Sequence, residues 1–152
     1  MADLRLIETN DGGDLVVLGS DLEVINGFEN MIYLGLFGGN IEESTRKYNP
    51  TEQRFDYWAN DLFAQNDSSI QFNSNTERLL NNISISSSSR LLIESTVKDD
   101  LAFMTDFGTL IVNVSLTSIN RIEISISFQE LNSVSSNDFT YIWDSTKNEL
   151  IV

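Results

Sequence analysis

Hydrophobic side chains recur at two spacings along this chain, and the change from one to the other marks where a helix gives way to strands. In RLLIESTVKDDLAFMTDFG (residues 90–108), Ile93, Val97, Leu101 and Met104 follow at steps of four, four and three. That is the period of one helix face, so a helix with an inward stripe is expected. Glu94 and Lys98 stand four apart, in the favourable order, on its outer face. Gly108 is the expected stop. The period then drops to two. In TLIVNVSLT, Leu110, Val112, Val114 and Leu116 share one face; in RIEISISF, Ile122, Ile124, Ile126 and Phe128 do the same. Joined by SIN, the two segments read as an antiparallel hairpin with one apolar and one wet face. The stripe of the preceding helix is the natural cover for the apolar face.

The same reading extends to both ends. QELNSVSSND is a polar linker, and DFTYIWDSTKNELIV supplies a second hairpin turning around Ser145–Asn148. Near the start, DLRLIET alternates, NDGGD is turn chemistry, and DLVVLGSDLEVI gives two apolar runs broken at Gly19–Ser20. Asn26 as N-cap with Glu29 reaching back predicts a short helix. Phe28, Met31, Ile32 and Gly35 lie near one of its faces, and Gly38–Gly39 stops it. SNTERLLNNI repeats the pattern, with Ser74 as N-cap, Glu77 at the third helical position, and Leu79, Leu80 and Ile83 facing inward. The serine run Ser86–Ser89 separates that helix from the next. Residues 40–73 are the least regular. They hold the only proline, Pro50, and the aromatics Phe55, Tyr57, Trp58 and Phe63, which either tack a long loop onto the core or anchor an interface.

These elements make one domain over residues 1–152, of α+β class. It is a mainly antiparallel sheet with two to three helices packed on one face, ending in a C-terminal β-hairpin. The size suffices for a core without staples. No run approaches the ~18 apolar residues of a membrane span, and the first residues lack the basic-then-apolar order of a secretory signal. Cysteine is absent, which excludes disulfides and thiolate metal sites and fits a reducing cytosol.

Charge narrows the function. Nine Lys and Arg against twenty-three Asp and Glu give a net charge of −14, and the basic residues are scattered. Such a surface repels phosphate backbones and anionic lipid, so neither nucleic acid nor membrane is expected as a partner. Histidine is absent as well, removing the commonest general base and neutral metal ligand. The enzymatic option left is a carboxylate pair of the glycoside hydrolase kind, for which Glu94 with Asp99 or Asp100, or Glu42 with Glu43, can be nominated. Among twenty-three acids some such pair arises by chance. Asp106–Phe107–Gly108 spells a kinase tripeptide without the rest of a kinase, and Asp11 and Asp14 lack the other oxygens of a calcium loop. No enzyme, no catalytic residue, no metal and no cofactor is expected.

The order of features resembles a known family. GGDLVVLGSDLEVINGFENMIYLGLFGGN, then QRFDYWANDLF, SIQFNSNTERLLNN, RLLIESTVKDDLAFMTDFG and finally FTYIWDSTKNEL are similar to the Mu-type baseplate proteins of contractile phage tails. Those are relatives of the small wedge protein that acts as tail sheath initiator. The resemblance covers nearly the whole chain. It implies a structural part of a tail baseplate, in six copies, assembled in the bacterial cytoplasm and located in the virion. Its partners would be other wedge or hub proteins and the tail sheath protein, with strands at one end serving as the template for sheath strands. The Glu-Pro-Arg motif of many family members is missing from MTDFGTLIV, so no residue is assigned to gripping the wedge bundle.

The residues supply a mechanism for that analogy. Natural monomers protect strand edges with lysine, proline or bulges. From Asp138 onward there is no proline and one lysine, Lys147, placed in the turn. The edge is expected to receive a partner's strand, with Phe139, Tyr141 and Trp143, or Ile142 with Leu150 and Val152, supplying side-chain contacts beside Ile151. Trp58 is a further candidate anchor. The competing reading is that the hairpin merely closes its own sheet with Trp143 in the core. A second functional class, a peptide-binding module acting by strand addition, uses the same edge. Binding to a basic neighbour is expected to weaken with salt.

Overall fold

The structure is a computed structural model that describes residues 2–9, 12–38 and 74–151. The expectations for the aromatic segment that contains Trp58, and for Val152, fall outside the described residues. The chain forms two compact units, residues 1–74 and 75–152.

The first unit is built from very short strands. Three antiparallel arms are present: β1 (Ala2–Leu4) with β6 (Val24–Asn26), β2 (Leu6–Thr9) with β3 (Gly12–Leu15), and β4 (Val17–Leu18) with β5 (Asp21–Leu22). One residue separates neighbouring arms at each corner. Those residues close a ring: the Arg5 amide donates to the Glu23 carbonyl at 2.9 Å, Glu23 to Val16 at 2.8 Å, and Val16 to Arg5 at 3.0 Å. A three-way junction thereby pairs backbone groups that strand ends would otherwise leave open. The third arm turns at Gly19, whose φ of +70° suits glycine. The Arg5 side chain adds ion pairs to Glu23 at 2.9 Å and Glu29 at 3.0 Å.

Helix α1 (Gly27–Phe37) follows. Phe28 and Ile32 are buried as expected, but Met31 and Gly35 are only half-buried; Leu36 and Phe37 complete the face. Steps of four from Phe28 thus describe this helix better than the mixed steps expected. The Glu29 carboxylate goes to Arg5. Buried Asn30 ties α1 to β1 by donating to the Asp3 carboxylate at 2.9 Å and the Leu4 carbonyl at 2.7 Å.

The second unit follows the sequence pattern closely. Helix α2 (Asn75–Asn82) buries Thr76 and Leu80, while Leu79 and Ile83 are half-buried. Ser74, expected to cap it, donates its hydroxyl to the Leu36 carbonyl. The first turn of α2 is instead met by Asp100, which accepts from the Thr76 amide at 2.7 Å and from Asn75 Nδ2 at 2.9 Å. A carboxylate at a helix N-terminus satisfies open amides and complements the helix dipole. Helix α3 (Ser87–Asp100) begins inside the serine run rather than after it. Ser86 and Ser89 form a reciprocal capping box, so the run is a start signal and not a spacer.

The stripe Ile93, Val97, Leu101 and Met104 is fully buried. The α-helix ends at Asp100, earlier than expected, and a 3₁₀ helix covers Ala102–Asp106. Its three-residue period keeps Met104 inward after the final step of three. Gly108 does not stop a helix but opens a strand. A Cβ there would lie 2.1 Å from the Gln129 carbonyl oxygen, so the two strands approach more closely than a side chain allows.

The sheet order is β10-β9-β8-β7, all antiparallel, with β7 (Gly108–Ser118), β8 (Arg121–Glu130), β9 (Asn137–Asp144) and β10 (Glu149–Ile151). Helix α3 packs on β7. Val112, Val114, Ile122, Ile124, Ile126, Phe128 and Trp143 are buried, each large side chain contributing about 1.5–3 kcal/mol. The fold is α+β as the patterning requires. Among the described residues no helix is long and apolar enough to cross a membrane.

Candidate docking edges of the C-terminal sheet

An open sheet has two edges, and what each offers depends on the phase of the ladder. In antiparallel pairing, alternate residues bond to the neighbouring strand while those between point their N–H and C=O away. The Leu131 amide donates to the Phe107 carbonyl at 2.9 Å. Counting from that pair, Thr109, Ile111, Asn113 and Ser115 bond to β8, and Leu110, Val112, Val114 and Leu116 turn their main chain outward. The Ser145 amide donates to the Asn120 carbonyl at 2.9 Å, which sets β9 likewise. Asn137, Phe139, Tyr141 and Trp143 bond to β8, while Asp138, Thr140, Ile142 and Asp144 face the other side.

The β7 edge is guarded by charged side chains from α3. Arg90 Nη1 donates to the Val114 carbonyl at 3.0 Å and to Glu94 at 3.1 Å. Lys98 Nζ holds the other Glu94 oxygen at 2.7 Å. Arg90, Glu94 and Lys98 therefore form one row along the helix, at steps of four, beside the outward side of the strand. The hydrogen bond from Lys98 does most to hold the Glu94 carboxyl below the usual carboxylate range; burial opposes it, and the charges of Lys98 and Arg90 and the Val114 amide add to the lowering. A helix and its charges covering an edge is one of the protective devices natural sheets use.

The opposite edge carries no such row among the described residues. Among the described residues strand β10 pairs with Ile142–Asp144, and the outward groups of Asp138 and Thr140 lie outside that pairing. Lys147 lies in the turn as expected and pairs with Glu149 at 3.1 Å. The turn itself is organised by Asp144, a buried acid that the sequence reading did not single out. Its carboxylate accepts from the Thr146 amide at 2.9 Å, its carbonyl from the Asn148 amide at 2.8 Å, and Asn148 takes the left-handed φ of +54° that asparagine tolerates. The Thr146 amide is the main cause of its lowered pKa, against burial, with Arg121 at 3.4 Å assisting.

The register places the nominated side chains. Phe139, Tyr141 and Trp143 lie on the covered face with Ile126, Ile124 and Ile122 opposite them. Phe139 and Tyr141 are half-buried. Trp143 is 4% exposed and its ring is core; its Nε1 has no acceptor among the described residues. Leu150 pairs with Trp143, and Ile142 pairs with Ile151. The expected grouping of Ile142 with Leu150 is therefore corrected: pairing of Asp144 with Glu149 puts these two on opposite faces.

Of the acids nominated for catalysis, Asp99 is exposed near the end of α3, and two others have defined partners. Asp100 binds the α2 N-terminus, and Glu94 is held ionised, the reverse of what a general acid requires. Glu42 and Glu43 lie outside the described residues. Among the described residues no cluster of His, Cys, Asp or Glu could hold a metal ion. No protein-family model, curated protein or solved structure matches the chain.

Proposed function

We propose that this chain is a structural component of a contractile phage, or phage-like, tail baseplate. In that role it joins wedge or hub proteins to the tail sheath and templates sheath assembly by accepting a β-strand. The reading makes it a virion protein without catalytic groups or cofactors, present in six copies. Its supports are the order of sequence features shared with the Mu-type baseplate proteins and, chiefly, the asymmetry of the C-terminal sheet. One edge of that sheet is guarded by Arg90, Glu94 and Lys98, whereas the other leaves Asp138 and Thr140 with outward main-chain groups. A partner strand hydrogen-bonded there would extend the sheet, as in strand addition generally.

Sheath polymerisation is the test. The chain is mixed with the sheath protein of its particle, and polymer is counted by electron microscopy. Thr140→Pro removes an outward donor without taking any bond from the β8–β9 ladder. The intact chain should seed polymer, and the folded variant should not. Equal seeding by both, or none by either, would rule the reading out.

A further inference from the structure

Strand β10 shows what lying beside β9 requires. On the covered face its Leu150 meets Trp143, and on the open face Ile151 meets Ile142. Directly opposed residues of an antiparallel pair put their side chains on one face, with Cβ atoms about 4.5–5.5 Å apart. The next stretch of the same lane lies opposite Asp138–Tyr141, where Asp138 and Thr140 are exposed and Phe139 and Tyr141 half-buried.

The two acids of β9 differ in their company. Asp138 and Asp144 stand six residues apart and so share a face by alternation. Across the ladder Asp144 faces Arg121, whose Nε lies 3.4 Å from its carboxylate. Asp138 faces Ser127 instead. Its other neighbours on that face are Thr140 along the strand and Ser125 and Gln129 diagonally on β8, all uncharged. A cation for Asp138 must therefore come from the side away from β8. That is also the side to which Asp138 and Thr140 turn their main-chain groups. Residues of an added strand opposite these two would exchange hydrogen bonds with them and set side chains beside theirs. The residue between would fall opposite Phe139, on the covered face.

We infer that Asp138 selects the strand accepted at this edge. The occupant is a segment of a different protein, with Lys or Arg opposite Asp138, an apolar residue opposite Phe139 and a small polar residue opposite Thr140. The inference rests on the strand-accepting reading above and gives its partner a chemistry. Charge excludes a second copy of this chain as the source. Its β7 has no charged residue, its β9 brings Asp138 and Asp144, and its β10 brings Glu149. Like charges set against each other reject wrong partners.

Two acetylated heptapeptides are the probes: Thr-Val-Thr-Val-Lys-Val-Thr and its twin with Glu in place of Lys. Each is titrated into the full-length chain at ~150 mM salt, where charges beyond about 8 Å are screened, and followed by amide NMR shifts. The Lys peptide should move the amides of Asp138–Tyr141 and bind at least about threefold tighter than its twin. Asp138→Lys should abolish or invert that preference. Glu130→Lys, the same change of charge at an exposed position outside the lane, should keep it. A preference that survives Asp138→Lys, or is lost equally in Glu130→Lys, overturns the inference. If the intact chain binds both peptides equally and Thr140→Pro binds neither, strand acceptance stands and selection by Asp138 falls. If neither peptide binds the intact chain, or Thr140→Pro binds both as well as the intact chain does, both readings fall.

Discussion

The two edges of the C-terminal sheet are finished by different means. At β7, the amphipathic helix that buries Ile93 and Val97 turns Arg90, Glu94 and Lys98 along the strand, and Arg90 takes up the Val114 carbonyl. At β9 and β10 the finish is local: Asp144 folds the turn, and three residues of β10 cover part of β9. A helix that covers a core can thus close one edge with its polar flank, whereas a hairpin closes only the length it spans. Among the described residues, one sheet thus has an edge held by helix side chains along its length and an edge held only over three pairs.

The harshest way to break the comparison is to remove the core beneath the β9–β10 edge. Trp143→Ala deletes a buried ring between Ile122 and Leu150, and truncations of that size cost about 3–5 kcal/mol. Urea denaturation should show that loss with little change in m. A loss well under ~1 kcal/mol would mean that the edge hairpin contributes little to the unit's cooperative core.

Gly108→Ala comes next. The added Cβ meets the Gln129 main chain rather than a yielding side chain, so the strands must separate. Overpacking of this kind costs about 1–3 kcal/mol. Thermal unfolding reads the effect, and a neutral outcome would show that the strand ends adjust freely.

Arg90→Met acts on the guard itself. It strips one hydrogen bond from Val114 and one partner from Glu94, with an expected loss of about 1 kcal/mol. The more telling readout is association. With its guard removed, the β7 edge should begin to self-associate, seen as concentration-dependent light scattering. An unchanged monomer would show that the helix, not its charges, closes this edge.

Much of the second unit was legible because its periods are clean. Steps of four, four and three marked the buried stripe of α3 and the 3₁₀ turn after it, and strict alternation marked the inner face of β7 and β8 except at Leu116, which is exposed where the ladder bulges. The turn at Ser145–Asn148 was legible from its composition, but not its organiser: Asp144 looks like any surface acid until its carboxylate meets the Thr146 amide. Other roles were hidden for the same reason. Asp100 capping a helix that begins at Asn75, and Arg90 reaching Val114, join residues some 24 positions apart, and no local pattern encodes such pairings. The three-way junction of the first unit was illegible in a further sense. Its strands were visible as short runs, yet the ring of amides at Arg5, Val16 and Glu23 uses main-chain groups that every residue has.

The smallest effect separates the edges by their electrostatics. Each has an acid whose folded pKa is depressed, Glu94 at the guard and Asp144 at the turn. For such groups the stabilisation is fully present above the unfolded value, near ~4, and disappears as pH falls through the lower folded value. Acid should therefore weaken both edges, and only below about pH 4. Salt should distinguish them. The first cause at Glu94 is its hydrogen bond from the charged, half-exposed Lys98, a surface pair that screening weakens. The first cause at Asp144 is a main-chain amide, which salt leaves in place. In NMR titrations at low and high salt, the Glu94 midpoint should rise towards its ordinary value, and that of Asp144 should move much less. Equal movement of the two would mean that Arg121, and not the turn, holds Asp144 ionised, and that both edges rest on the same kind of charge pairing.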